Sequence, residues 1–386
     1  MPVIHGQSSR VLATRSMSAA MTRFGCMLAP VTFFADSNAP ITPYSIPPWA
    51  AAPNLSSVPP LLRALRGDFM CSAFGDNDAL YHGIAIPPHG DTANGDWNIV
   101  QRRTTSLGTA LRLTIELPTQ GGCCIGTTVL LEGHQFIYQR HDFEGVSGAI
   151  NPGHHVMLAC PAASGSTLLS FSPFAFAASS PPRSALSDEM ARSQLLPGCF
   201  VENPAAMPAV NGRAVDMTSF PTEEGVDDVF MVCRTPGSEF AWSAAAFPGK
   251  GYAWLALRRG AQLPSTLLWH SNGGRFGFPW NGRHAPVLGI EDMIGYFAAG
   301  LTDSSRPNSL TARGIPTCLE VTPGVPLVVP YIQGLIRIPG AFGRIVGVER
   351  CGVSELLIQG SSGMKVATSC RWEFLTEELI PGLCER

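Results

Sequence analysis

Alternation of apolar and polar positions with a period of two is the commonest pattern along this chain. From Ala110 to Pro118, Leu111, Leu113, Ile115 and Leu117 alternate with Arg112, Thr114 and Glu116, which predicts a strand with one buried and one wet face. The stretch Thr127 to Phe143 continues in the same manner and is broken at Gly133, a turn position between two strands. Near the carboxyl end, Val366, Thr368, Cys370, Trp372 and Phe374 alternate with Lys365, Ala367, Ser369, Arg371 and Glu373, which predicts one more strand. FGCMLAPVTFF (Phe24 to Phe34) reads as a core strand, and Pro161 to Ser184 as strand and loop laid across a sheet. Helical runs are short. Leu61 to Phe69 has room for a turn or two, and Ser184 to Leu196 predicts the longest helix, capped by Ser187 with Met190 and Leu195 on one face. No repeat of 20 to 50 residues divides the chain. The expected architecture is an all-β, large antiparallel sandwich spanning 1–386 as one domain, with residues 37–60 and 304–316 wrapping its surface.

Composition supports this reading. Charged residues make up 14% of the 386, against about 25% in an average soluble domain, while 40 glycines and 33 prolines imply many turns. A formal charge of -3 gives no general attraction for nucleic acid or an anionic membrane, and no run of about 18 apolar residues predicts a membrane span. The amino end holds Arg10, Arg15 and Arg23 before its first acid at Asp36, yet without the apolar stretch of a signal peptide. Eleven cysteines without a repeated spacing do not describe a disulfide framework, so a reducing, cytoplasmic setting is expected.

Candidate chemistry gathers in three places. YHGIAIPPHGDTANGDW (Tyr81 to Trp97) holds His82 and His89; INPGHHVMLACP (Ile150 to Pro161) holds His154 and His155; NGGRFGFPWNGRHAPVLGIED (Asn272 to Asp292) ends in Glu291. Neither HExxH nor paired CxxC spacing occurs, so no metal is expected, and NGGRFGFPWNG lacks the order of a phosphate loop. Acid/base chemistry remains. Glu291 follows the apolar run VLGI, where partial burial raises a carboxylate toward the range of a general base, and a histidine serves as the matching acid. The competing reading for Glu291 is an ion pair with Arg283 or Arg275. In an extended strand His154 and His155 face opposite ways, so at least one of them is structural.

The segment LLWHSNGGRFGFPWNGRHAPVLGIED resembles the aldose 1-epimerase (galactose mutarotase-like) superfamily, as do PPHGDTANGDW, INPGHHVML, TRFGCMLAPVTF and LRGDFMCSAFGDN, in the family's order from about Arg23 to Tyr296. The resemblance implies a β-supersandwich that binds a sugar or sugar derivative in a groove and interconverts its anomers with no cofactor. It further implies that Glu291 takes the proton of the anomeric hydroxyl while His155, or its neighbour His154, protonates the ring oxygen. His89 then contacts the ring-oxygen region, Arg66, Arg275 or Arg283 fixes hydroxyls or an anionic group, and Trp97, Phe276, Phe278 and Trp280 offer faces for the sugar's C–H side. Departures are visible: Asn94 stands near the place of the family's arginine, FGDND (Phe74 to Asp78) has no arginine, and Asp292 follows the glutamate. Three other readings compete: a non-catalytic carbohydrate-binding protein, a structural interaction module with a flat apolar patch, and a hydrolase or lyase with a second carboxylate about 5 to 9 Å from Glu291.

Overall fold

A computed structural model describes residues 1–52, 55–182, 191–234, 237, 240–352, 354–376, 380, 382 and 383. Two large antiparallel sheets dominate. The nine-stranded sheet runs, edge to edge, through Ser219–Phe220, Thr167–Phe171, Ala241–Phe247, Tyr252–Arg258, Leu327–Arg337, Phe136–Glu144, Cys123–Leu131, Gly108–Glu116 and Asn98–Thr105. The eight-stranded sheet runs through Phe200–Val201, Phe176–Ser179, Val226–Cys233, Ser265–Asn272, Val287–Met293, Gly153–His154 and Met70–Cys71, with Val156–Ala159 also on Val287–Met293. The expected alternation is present: Leu111, Leu113 and Ile115 point into the space between the sheets, and Gly133, at φ 76°, turns the chain into the next strand. Each such side chain removed from water contributes roughly 1.5 to 3 kcal/mol.

Apolar residues cover three layers. The largest cluster, with Trp254, Phe143 and Leu288, fills the sandwich. A second lies under the nine-stranded sheet, which is covered by a three-stranded carboxyl-terminal sheet, Ile345–Arg350, Glu355–Gly360 and Lys365–Ser369. The third, with Trp49, Leu61, Leu65, Phe69, Trp269 and Trp280, covers one flank of the eight-stranded sheet and surrounds the cavity described below.

Local differences from the sequence reading have simple causes. The last predicted strand stops at Ser369, and Trp372 and Phe374 belong to a 3-10 turn, where Phe374 packs edge-on against Tyr138. Residues 184–190 of the longest predicted helix, with Ser187 and Met190, lie outside the described residues. Within its remainder, Ala191 bridges Arg275 and Leu195 bridges Ala209, so 191–196 follows neighbouring strands instead of coiling. Segments 37–60 and 304–316 contribute buried Tyr44, Trp49, Leu310 and Ile315 to the cores.

One buried histidine predicts how the fold responds to acid. His270 is fully buried between Phe220 and Phe230, neither ring nitrogen has a hydrogen-bond partner, and burial lowers its pKa to about 3. The folded value lies below the unfolded one, near 6.5, so the stability from its neutral ring is present above that pH and is lost as pH falls toward about 3. Urea unfolding of His270→Leu should therefore lose less stability than the parent in this window, the gap opening by about 1.4 kcal/mol per pH unit. Parallel curves for the two proteins would show that the site is hydrated or paired.

Candidate acid/base site

Strand register brings the principal groups together. Gly153 lies opposite Met293 and Val156 opposite Ile290, so His155 falls opposite Glu291 and His154 opposite Asp292. Because successive side chains leave a strand on opposite faces, His155 and Glu291 share one face, while His154 and Asp292 share the other. His155 Nε2 lies 3.4 Å from Glu291 Oε1, with both residues almost entirely buried. Across the strand on its other side, Leu267 and Trp269 neighbour Glu291 and Gly289. Gly289 has a spatial reason: a Cβ there would stand 2.8 Å from Glu291 Oε1 and 2.8 Å from the Trp269 Cβ, so its absence leaves room for the carboxylate.

His89 approaches from a loop. Its own φ is 61° and that of Gly90 is 74°, and a Cβ on Gly90 would collide with the backbone of Ser72 and Ala73, so only glycine lets this turn press so closely against the 72–73 segment. Asn94 ties the loop down by donating to the carbonyls of Pro88 at 2.7 Å and Gly90 at 2.8 Å. The His89 ring meets His155 edge-on at 5.0 Å and also packs on Phe69 and Phe74. Phe69 stacks on His155 at 4.8 Å.

These groups open into a cavity of about 340 Å³. Its polar lining is His89, His155, Glu291, Asp76, Asn94 and Arg275; its apolar wall includes Leu61 and Leu62 from the turn of helix at Pro60–Ala64 and Leu65 just after it, together with Leu267, Trp269 and Trp280. Arg275 is the one cation among the described lining residues. Its guanidinium sits over Trp269 (5.1 Å) and Trp280 (4.8 Å) and lies 3.5 Å from Asp227, whose carboxylate also accepts from the Trp269 indole at 2.9 Å. Burial pushes His89 down to about 4, and burial followed by the nearby His89 and Arg275 holds His155 well below the ordinary histidine range. Both imidazoles are thus neutral at pH 7 in the free protein.

Other sequence candidates lie elsewhere. His154 is fully buried between the sheets, 3.0 Å from Asp68 and stacked on Tyr331, because the strand alternation turns it away from the cavity. Arg66 is buried and donates to the carbonyls of Ala64, Ile4 and His5, so its charge serves backbone acceptors. Trp97 is a core residue whose indole donates to the Thr92 carbonyl. Arg283 is exposed on a separate cleft beside Glu224 and Asn272, and Phe276 and Phe278 are more than half exposed, outside the cavity's described lining. His82 is exposed and packs on Tyr81. Asp76, Trp269 and the leucine wall are additions. Trp269 was accessible to reasoning by period, since Leu267 and Trp269 share a face; the leucine wall was not, since a turn of helix carries no sign of what it will cover.

Comparison of the fold gives it a context. Matching structures include an Escherichia coli K12 protein assigned as a candidate aldose 1-epimerase, at TM-score 0.56 and 14% identity over 86% of this chain and 100% of that one. A galactose mutarotase-like protein from Lactobacillus casei matches at TM-score 0.55 and 12% identity over 85% and 100%. The fold is that of the galactose mutarotase-like β-sandwiches. At such identities the likeness is one of fold alone, and no family model and no curated protein sequence matches the chain. A TPR-domain-containing protein from Parabacteroides distasonis also matches, at TM-score 0.54 and 12% identity over 90% of this chain and 49% of that one, so the mutarotase-like fold alone does not carry a function. Among the described residues, no three metal-ligating side chains cluster, and no helix is long and apolar enough to cross a membrane.

Proposed function

We propose that the protein interconverts the anomers of a neutral sugar or sugar derivative by opening and reclosing its ring. The observation that carries this reading is the 3.4 Å pairing of His155 with Glu291 at a cavity whose other polar wall is His89. In this mechanism the Glu291 carboxylate takes the proton of the anomeric hydroxyl, and His155, acting in its protonated form, the minor one at pH 7, gives one to the ring oxygen as the bond between that oxygen and the anomeric carbon breaks. The open aldehyde rotates, the hydroxyl attacks its other face, and the two protons return. The apolar side of the ring rests against Trp269 and Trp280, while His89 and Asn94 meet its hydroxyls.

Neutral substrates are favoured because Glu291 and Asp76 bring negative charge to the cavity and Arg275, its one described cation, already faces Asp227. Saturation-transfer NMR of anomeric protons across neutral, acidic and phosphorylated sugars tests both points. The expected result is exchange above the spontaneous rate for at least one neutral sugar, with its 6-phosphate at least tenfold slower, about 1.4 kcal/mol of discrimination. Binding without exchange across the panel would favour a carbohydrate-binding protein instead.

The lowered pKa of His155 gives this reading a pH signature. Its acid form grows as pH falls, so kcat/KM should already be declining with rising pH below 6.5, before an ordinary histidine would titrate. A profile flat from pH 5 to 7 would remove His155 from the role of proton donor.

A further inference from the structure

Each group of the proposed acid/base pair has a chain neighbour buried on the reverse face of the same sheet. His154 and Asp292 point into the sandwich, and one side chain from the opposite sheet meets both. The Tyr331 ring stacks on the His154 ring, centroids 3.9 Å apart and planes 10° apart, and its hydroxyl donates to Asp292 Oδ2 at 2.9 Å. Asp292 is held from three further sides, by Ser243 at 2.6 Å, Thr266 at 2.7 Å and the Arg258 guanidinium at 2.7 Å. His154 is held by Asp68, which accepts from Gln333 at 2.6 Å; Gln333 in turn donates to Gln139 and accepts from Tyr44. Tyr331 and Gln333 leave the same face of Leu327–Arg337, two residues apart, so a single strand of the nine-stranded sheet grips both strands of the pair.

A polar layer of this kind is a poor way to stabilise a core, since well-packed apolar residues of similar volume commonly do as well or better. What it does supply is direction: hydrogen bonds fix register and rotation where apolar contacts tolerate sliding. We infer that Tyr331 is a positioning residue, which, through Asp292 and His154, holds Glu291 and His155 at the separation their proton transfers require. This rests on the acid/base reading of the site. Tyr331 lies between the sheets and touches no substrate, so its effect must travel through the two strands.

The test uses the full chain with Tyr331→Phe, which keeps the stacked ring and removes only the hydroxyl, and Asp68→Asn, which loosens His154 from the other side. Histidine Cε1–H signals in 1H–13C spectra, with the His155 signal identified by its loss in His155→Asn, report the site without any sugar. The expected result is a displaced His155 signal in both variants and, for Tyr331→Phe on an exchanging sugar, kcat at least tenfold lower with KM within about twofold, because a misplacement of about an ångström costs rate more than binding. An unmoved His155 signal in folded Tyr331→Phe overturns the inference, whatever the rate does. If the parent protein exchanges no sugar, the proposed function fails separately, and the spectra still decide whether Tyr331 positions His155.

Discussion

Replacing Glu291 by Gln is expected to reduce anomer exchange by about a thousandfold, to the neighbourhood of the spontaneous rate, while sugar binding changes little. The amide keeps the shape of the side chain and its ability to hydrogen-bond, but it cannot hold the proton of the anomeric hydroxyl. General base catalysis accounts for roughly two to four orders of magnitude in rate, and here the base has no described substitute in its position: Asp76 is the other carboxylate on the cavity wall, and the strand register places Glu291 alone beside His155. Saturation transfer gives the rate, and a titration of the same sugar against the same variant gives the affinity. Loss of binding together with rate would make Glu291 a binding group, and unchanged exchange would remove it from the chemistry.

The second large effect concerns stability. Arg258 and Asp292 form a pair 2.7 Å apart with essentially no exposure of either side chain, and Arg258 also donates to the Leu263 carbonyl and Thr266. Arg258→Met leaves Asp292 as a buried carboxylate facing only hydroxyl donors, which is expected to cost about 3 to 5 kcal/mol, a large part of the stability of an ordinary domain. Arg258→Met combined with Asp292→Leu removes both charges and should recover part of that loss, because an apolar pair does not carry the desolvation cost of an unpaired ion. Denaturant unfolding of the two single variants and the double variant closes the cycle. Since the double variant also deletes the acceptor for Tyr331, recovered stability should come without recovered exchange. Equal losses in the single and double variants would mean that the pair's other hydrogen bonds, rather than its charges, dominate.

Much of this architecture was legible from period-two alternation, because a sandwich buries one face of each strand and the sequence must record that face. Leu111 to Leu117 and the break at Gly133 are examples. Alternation also required His154 and His155 to separate, but only the pairing of Gly153 with Met293 and Val156 with Ile290 assigns them to cavity and core. Arginine and tryptophan were less legible for a different reason. Arg66 has the same side chain as a ligand-binding arginine, yet its donors are consumed by carbonyls from a segment some sixty residues away, Ile4 and His5. Trp97 is likewise amphipathic, and whether its indole meets a sugar or the Thr92 carbonyl depends on tertiary contacts. Trp372 and Phe374 kept the alternating pattern while adopting a 3-10 turn, since packing against the underside of the nine-stranded sheet outweighed local preference.

The most direct measurement is a crystal structure of the Glu291→Gln protein with an exchanging sugar bound. The account predicts the side chain at position 291 about 3 Å from the anomeric oxygen and the His155 imidazole about 3 Å from the ring oxygen. A sugar seated in the cavity with its anomeric carbon turned away from both residues would contradict it.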